Sequence, residues 1–194
     1  MQRNLLIAHI VILASLFAWM LVWDPVPQQG RSVSGHPLGG DFTLQSYRGP
    51  VSLSEFRSQV VLVYFGYTWC PDICPTNLGM ISLALDALSE AERARVQVLF
   101  ISVDPQRDGV ERLREYGEYF HPRILGITGT PEALAEVAGR YGASYRRGEP
   151  RSDGGYVVDH TANTYLIDPQ GRLAEILSHA TPPETIVTLI RRHL

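Results

Sequence analysis

The sequence VVLVYFGYTWCPDICP, residues 60–75, joins an unbroken apolar run to the only two cysteines of the chain, Cys70 and Cys74. Residues 60–65 are consecutively apolar, which is typical of a strand covered on both faces in the middle of an α/β sheet. Residues 75–88 then place apolar side chains at helical spacing, which predicts a helix. We therefore expect both cysteines in a strand-to-helix turn, at the sheet edge where ligands bind in such folds.

The position of the cysteines favours chemistry over a purely structural role. A helix N-terminus carries unpaired N–H groups and a partial positive charge, which favour the thiolate, and the thiolate is both nucleophile and metal ligand. The alternative is a structural disulfide or two buried thiols. A bridge across so short a loop would stabilise the fold by only about 2 kcal/mol in the chain-entropy model. Metal binding or thiol exchange explains the motif better.

The composition limits the other functions. A length of 194 residues, a hydrophobic content of 45% and a net charge of −3 describe one globular domain with a short extension. All 17 basic residues are arginine, which excludes Schiff-base chemistry on lysine. The arginines are scattered along the chain and form no basic stripe, so we expect no nucleic-acid partner.

The N-terminal segment predicts a membrane anchor. Residues 5–23 are almost entirely apolar, and as a helix they would be about 28 Å long, close to the hydrocarbon thickness of about 30 Å. Arg3 precedes the span and Asp24 follows it, so the positive-inside rule places residues 1–4 in the cytoplasm. We therefore expect a single-pass protein of the inner (cytoplasmic) membrane whose C-terminal domain faces the periplasm.

A cleaved signal peptide is the alternative to this anchor. The segment has no A-x-A site near its end, and it closes with Trp19 and Trp23, which are residues of the membrane interface. These observations favour an uncleaved transmembrane helix. Residues 24–40 are rich in proline, glycine, glutamine and serine and predict a linker. The folded domain is then expected at residues 41–194.

The rest of the chain alternates predicted strands and helices. A hairpin is expected within residues 41–56, strands at residues 96–103, 123–128, 163–168 and 172–177, and helices at residues 108–120, 131–141 and 183–192. The predicted helix at residues 131–141 has a clear start, with Thr130 as N-cap and Pro131 at the first helical position. This order predicts an α/β sheet of the thioredoxin type.

Several segments together resemble a known family. They are LGGDFTL (38–44), VVLVYFGYTWCPDICPTNL (60–78), VLFISVDPQRD (98–108), ITGTPEALAEVAGRYG (127–142) and YVVDHTANTYLIDPQGRL (156–173). With the single N-terminal span, they resemble the Sco/SenC family of copper-binding proteins, which have a thioredoxin-like fold and serve cytochrome c oxidase assembly. The resemblance covers nearly the whole chain, and CPDICP followed by VDHT is far more specific than a bare pair of cysteines.

The resemblance implies a copper site. In the family two cysteines and one histidine bind the metal, and they correspond here to Cys70, Cys74 and His160. Two thiolates and an imidazole suit Cu(I) and can also hold Cu(II), whereas structural zinc would take a fourth protein ligand. One departure is Trp69, where the resemblance leads us to expect a smaller side chain before the first cysteine.

Other polar residues receive supporting roles. We expect Asp159 to orient His160, and Asp72 to act as a turn and capping residue that tunes the charge of the site. Asp104 and Asp108 are interpreted as a strand-end and a helix-cap carboxylate, because no nucleophile or base motif accompanies them. The remaining histidines of the linker, loops and tail are expected to be solvated: His36, His121, His179 and His193.

Two classes of function remain open. The first is a metallochaperone without catalysed turnover, which carries copper to the oxidase subunit with the binuclear copper site. The second is a thiol-disulfide oxidoreductase that uses Cys70 and Cys74 to reduce the cysteines of that subunit or to sense redox state. In either case another copper carrier or a thiol reductant is an expected partner. The metallochaperone is the preferred interpretation, so enzyme activity is not expected.

Overall fold

A computed structural model of the chain describes residues 39–150 and 155–194. The predicted span at residues 5–23, the residues before it and nearly all of the linker lie outside the described residues, as do His36 and residues 151–154. Within the described ranges, no helix is both long enough and apolar enough to cross a bilayer.

The described residues form nine strands, five helices and one 3-10 turn. The strands are β1 (Thr43–Ser46), β2 (Gly49–Ser52), β3 (Val60–Gly66), β4 (Val96–Ser102), β5 (Ile124–Ile127), β6 (Tyr145–Arg147), β7 (Val158–His160), β8 (Thr164–Ile167) and β9 (Leu173–Leu177). The helices are α1 (Ile73–Asp86), α2 (Glu90–Ala94), α3 (Val110–Phe120), α4 (Pro131–Arg140) and α5 (Pro183–His193), with a 3-10 turn at Leu53–Phe56.

The main sheet has five strands in the order β5, β4, β3, β8, β9. β3 lies at its centre, parallel to β4 and antiparallel to β8, and every residue of β3 is buried. An unbroken apolar strand suits this position because both of its faces are covered. The prediction of a central strand ending just before the cysteines is confirmed.

Two smaller sheets lie outside the main one. β1 and β2 form the hairpin predicted before the central strand. β6 and β7 form a second antiparallel pair, in which Tyr145 lies opposite His160. The sequence did not predict this pair, because three-residue strands of polar composition give no alternating apolar pattern.

The helix boundaries differ from prediction at two places that concern the site. α1 begins at Ile73 with Asp72 as its N-cap, two residues earlier than expected, so Cys74 lies inside the first helical turn. α3 begins at Val110 with Gly109 as N-cap. Asp108 is therefore not a helix cap, and that interpretation was wrong. The start of α4, by contrast, has the predicted N-cap and first-position proline.

Candidate metal centre

Three potential metal-ligand atoms meet at the end of the central strand. The sulfurs of Cys70 and Cys74 and a ring nitrogen of His160 all lie within 4.8 Å of one another. Cys74 Sγ and His160 Nε2 are 3.3 Å apart. Among the described residues, this is the one group of three or more histidine, cysteine or acidic side chains with such geometry. The structure thus brings together all three residues implied by the resemblance.

The cysteines are positioned by the passage from β3 into α1. Cys70 lies in the turn, and the Cys74 backbone N–H at the start of α1 donates a hydrogen bond of 3.4 Å to Cys70 Sγ. Gly66 ends β3 directly beneath them. A Cβ atom on Gly66 would lie 2.7 Å from Cys74 Sγ and 2.8 Å from the Phe100 ring. Only glycine therefore leaves room here for the second sulfur.

A buried carboxylate fixes the turn that carries Cys70. Asp108 is fully buried and accepts hydrogen bonds from the Thr68 backbone N–H at 2.8 Å and the Thr68 hydroxyl at 2.6 Å. It also accepts a bond of 2.6 Å from the Ser102 hydroxyl at the end of β4. Asp108 therefore ties the turn to the neighbouring strand. Sequence analysis missed this role because Thr68 lies forty residues away along the chain.

His160 approaches from the other side, at the end of β7. Its ring lies edge-on to the rings of Tyr64 and Tyr67, with centroid distances of 6.2 and 5.8 Å. Its Nδ1 lies 3.1 Å from the backbone oxygen of Thr161. An Nδ1–H that donates to this carbonyl leaves the lone pair of Nε2 free for a metal, and Nε2 is the nitrogen that faces Cys74.

The two thiols are electrostatically unequal. The pKa of Cys70 is lowered to about 3, mainly by a hydrogen bond that the Cys74 side chain donates to it. Burial opposes this shift, and a weaker hydrogen bond from His160 adds to it. The hydrogen bond between the two cysteines and burial raise the pKa of Cys74. The reduced pair therefore holds one proton, on Cys74, and presents Cys70 as the thiolate.

Access to the centre is also unequal. A cavity of about 400 Å³ opens in front of Cys70, and its lining includes Tyr67, Ile73, Val158 and His160. Cys70 is 8% exposed, whereas Cys74 is completely buried behind it. A metal or a partner sulfur entering from this cavity would therefore meet Cys70 and His160 first.

The two predicted supporting carboxylates lie at the rim. Asp159 Oδ2 pairs with Arg146 Nη2 at 3.3 Å, and the atom facing His160 Nδ1 is instead the Thr161 carbonyl oxygen. Asp72 occupies the N-cap position of α1, but its carboxylate accepts no backbone N–H there. Its backbone N–H is what contributes to the site, as one of the donors that lower the pKa of Cys70.

The other described histidines lie away from the centre. His121 was expected to be solvated, but it is buried. Its two ring nitrogens have protein partners there: Nδ1 accepts a hydrogen bond of 2.9 Å from the Arg123 backbone N–H, and Nε2 lies 3.6 Å from Asp86 Oδ1. Burial lowers the pKa of His121. His179 is exposed, as predicted, and His193 is half-buried.

Trp69 turns away from the centre to the surface. Its side chain is 56% exposed, and the guanidinium groups of Arg112 and Arg107 lie 4.7 and 6.0 Å from its ring centre. Such cation–aromatic contacts stabilise an exposed indole. The bulk of Trp69 therefore does not crowd the sulfur of Cys70. Asp104, two residues after the end of β4, accepts a hydrogen bond of 2.7 Å from the Tyr156 hydroxyl.

Comparisons with family models and with curated proteins point to the same family. A family model described as SCO1/SenC matches residues 31–194. The mitochondrial SCO2 homolog of Bos taurus is 42% identical over 157 residues, covering 80% of this chain and 59% of that protein. The mitochondrial SCO1 homolog of Mus musculus is 37% identical over 169 residues, covering 86% and 60%. The chain thus spans about 60% of the length of these curated relatives.

Solved structures share the fold. The apo Sco1 protein of Thermus thermophilus superposes with a TM-score of 0.74 at 41% identity, covering 84% of this chain and 95% of that one. The ScoI protein of Bradyrhizobium japonicum, solved with copper bound, gives 0.73 at 36% identity, covering 81% and 99%. The prediction of a thioredoxin-like α/β fold is confirmed.

Proposed function

The chain belongs to the SCO1/SenC family, and from this membership and the centre described above we propose that it is a copper chaperone for cytochrome c oxidase assembly. Copper would be held by Cys70, Cys74 and His160. The observation that carries this proposal is the convergence of two sulfurs and one imidazole nitrogen within 4.8 Å.

The donor set fits copper better than other common metals. Thiolate and imidazole are soft or intermediate ligands, which suit Cu(I) and tolerate Cu(II). Structural zinc takes four protein ligands, and the group in the described part of the chain has three members. A related protein of the same fold was solved with copper bound, which supports copper as the cargo here.

The unequal thiols suit a site that must both take up and release its cargo. Cys70 stands ready as a thiolate at the cavity, whereas Cys74 gives up its proton only when a metal binds. Copper uptake therefore releases a proton. The ligands of a receiving protein would reach the metal past Cys70 and His160, while Cys74 stays buried.

The proposed setting follows from the N-terminal sequence. Residues 5–23 would anchor the chain in the inner membrane, with residues 1–4 in the cytoplasm, residues 24–40 as a linker and residues 41–194 in the periplasm. Apolar length and charge asymmetry support this arrangement. The proposed recipient is the oxidase subunit that carries the binuclear copper site. Another copper carrier or a thiol reductant would load the centre or keep it reduced.

A copper titration tests the proposal directly. The full chain, purified in detergent, is compared in its reduced and oxidised forms by anaerobic competition with a Cu(I) chelator. We expect the reduced chain to bind about one Cu(I) and the oxidised chain essentially none at this centre, because a disulfide sulfur has no thiolate charge to offer. Equal binding by the two forms would contradict the assigned ligands.

A second experiment separates copper delivery from thiol exchange. Cells carrying His160→Ala or Cys70→Ser are assayed for assembled oxidase activity. Thiol exchange needs a thiolate and an accessible partner sulfur but no imidazole ligand. Copper delivery, by contrast, needs both the sulfur and the imidazole, so we expect both variants to lose oxidase assembly. Full assembly with His160→Ala, together with loss of assembly with Cys70→Ser, would instead identify the chain as a thiol-disulfide oxidoreductase.

A further inference from the structure

Two phenol hydroxyls in the core behind the centre have no hydrogen-bond partner among the described residues. One belongs to Tyr64 of β3 and the other to Tyr116 of α3, and both oxygen atoms are buried. Tyr64 is buried over its whole side chain. A buried hydroxyl without a partner is costly, so each one requires an explanation.

The surroundings of Tyr64 identify the atom that its hydroxyl can serve. The Tyr64 ring and the Cys74 sulfur border the same space above Gly66: a Cβ there would lie 3.4 Å from Tyr64 Cε1 and 2.7 Å from Cys74 Sγ. A tyrosine phenol is protonated at neutral pH, and burial disfavours its anion further, so the Tyr64 hydroxyl is available as a donor.

The Cys74 sulfur becomes a strong acceptor only when it loses its proton. As a thiol it accepts hydrogen bonds weakly. A metal-bound cysteine is deprotonated, and a buried negative charge needs hydrogen bonds because water cannot reach it. Cys74 is completely buried, and the Tyr67 backbone is the other donor directed at it.

We propose that Tyr64 is a positioning residue of the metal centre, whose hydroxyl donates a hydrogen bond to Cys74 Sγ when that sulfur is bound to copper. The inference rests on the proposed function, since copper supplies the charged sulfur. A hydrogen bond to a ligating sulfur withdraws electron density from it and thereby favours Cu(I) over Cu(II). The Tyr64 hydroxyl, which has no partner in the metal-free chain, thus gains an acceptor when copper binds.

The test compares the full chain with Tyr64→Phe and Tyr116→Phe, each purified in detergent. Cu(II)–thiolate charge-transfer absorption and the ratio of Cu(I) to Cu(II) affinity are measured for all three. For Tyr64→Phe we expect the absorption band to move to lower energy. We also expect the affinity ratio to fall about tenfold, which corresponds to about 59 mV for a one-electron couple. The thermal midpoint of the metal-free variant should not decrease.

Tyr116→Phe is the matched control. It removes an equally unpaired hydroxyl from the same core, and its ring packs against Phe100, which also contacts Tyr64. Of the two tyrosines, Tyr64 is the one whose ring is among the nearest neighbours of the space above Gly66 that Cys74 Sγ borders. We expect its band and affinity ratio to match the wild type. If Tyr64→Phe behaved like the wild type within twofold, or if Tyr116→Phe shifted both readouts equally, the inference would be overturned.

A metal-free measurement separates an effect on charge from an effect on packing. Disulfide reduction by dithiothreitol transfers two electrons and leaves a Cys70–Cys74 pair that holds one proton, on Cys74, while the second proton of dithiothreitol goes to the solvent. Its equilibrium constant should therefore change less than twofold in Tyr64→Phe. A tenfold change would overturn the inference. A wild-type chain that took up no copper would overturn the proposed function itself, and this inference with it.

Discussion

The cysteine side and the histidine side of the metal centre are held by different amounts of structure. Cys70 and Cys74 follow β3, a fully buried strand with a neighbour on each side, and their turn is tied down by the buried carboxylate of Asp108. His160 ends a three-residue strand of a separate two-stranded sheet. The hydrogen bonds between Thr161 and Ser144 beside it are exposed to solvent.

This difference predicts that the histidine side opens more easily than the cysteine side. Segments with few buried contacts and solvent-exposed hydrogen bonds open locally at a lower free-energy cost than core strands do. We therefore expect the histidine side to open while both sulfurs stay in place. A carrier needs such an arrangement, because cargo held equally firmly by every ligand could not be passed on.

Removing the inner sulfur should have the largest effect. Cys74→Ser replaces a soft, fixed ligand by a hydroxyl, which is a poor donor for Cu(I). We expect Cu(I) affinity to fall by well over the roughly 100-fold that loss of an outer hydrogen-bond partner can cost. Anaerobic chelator competition measures this, with circular dichroism as the control for folding. A loss no greater than that of His160→Ala would break the comparison.

Removing the imidazole should affect the two oxidation states unequally. For His160→Ala we expect Cu(II) affinity to fall more than about 100-fold and Cu(I) affinity only about tenfold, because the firmly held sulfurs can still bind Cu(I) in linear geometry. Charge-transfer absorption and Cu(I) competition measure the two losses. The thermal midpoint should barely change, since the ring lies at an edge of the fold. Equal losses would indicate that the sulfurs depend on the histidine side for their position.

Weakening the anchor of the cysteine turn should appear as lost stability. Asp108→Asn replaces a fully buried carboxylate that accepts three hydrogen bonds, and we expect it to lower the free energy of unfolding by about 2 kcal/mol. Asp72→Asn, at an exposed carboxylate of the same turn, is the matched control and should cost less than about 0.5 kcal/mol. Urea unfolding measures both. Similar values would show that the turn is not held by its buried partner.

The smallest effect is expected on the histidine side. Arg146→Ala breaks the pair with Asp159, whose side chains are 83% and 66% exposed, so the free energy of unfolding should change by less than about 0.5 kcal/mol. Copper affinity should not change. A gain in Cu(II) affinity would show that Asp159, once released from Arg146, can support His160 as the sequence led us to expect.

The elements that could be predicted from sequence are those whose signal is local. The unbroken apolar run of β3 predicts its central position, and Thr130 with Pro131 predicts the start of α4. The start of α1 was placed two residues late, because proline favours the first helical position whereas Pro75 lies at the third. The local sequence thus predicts that helix α1 exists, whereas the turn before it determines the residue at which it begins.

What could not be predicted depends on distant contacts. The spacing of Cys70 and Cys74 pointed to a site, but only the family resemblance brought His160 to it across the chain. Asp108 looked like a helix cap, since nothing near it in sequence reveals that it binds the turn before Cys70. The unpaired hydroxyl of Tyr64 was likewise invisible, because its environment is made by residues from several elements.

The exposed indole beside the centre gives the domain an optical reporter of its own. Trp69 is the only one of the three tryptophans that lies within residues 41–194, and it immediately precedes Cys70. Cu(II) quenches the fluorescence of a nearby indole, whereas Cu(I), with its filled d shell, quenches it far less. Emission from this one residue should therefore follow the oxidation state of bound copper in real time, without a label and during transfer to a recipient.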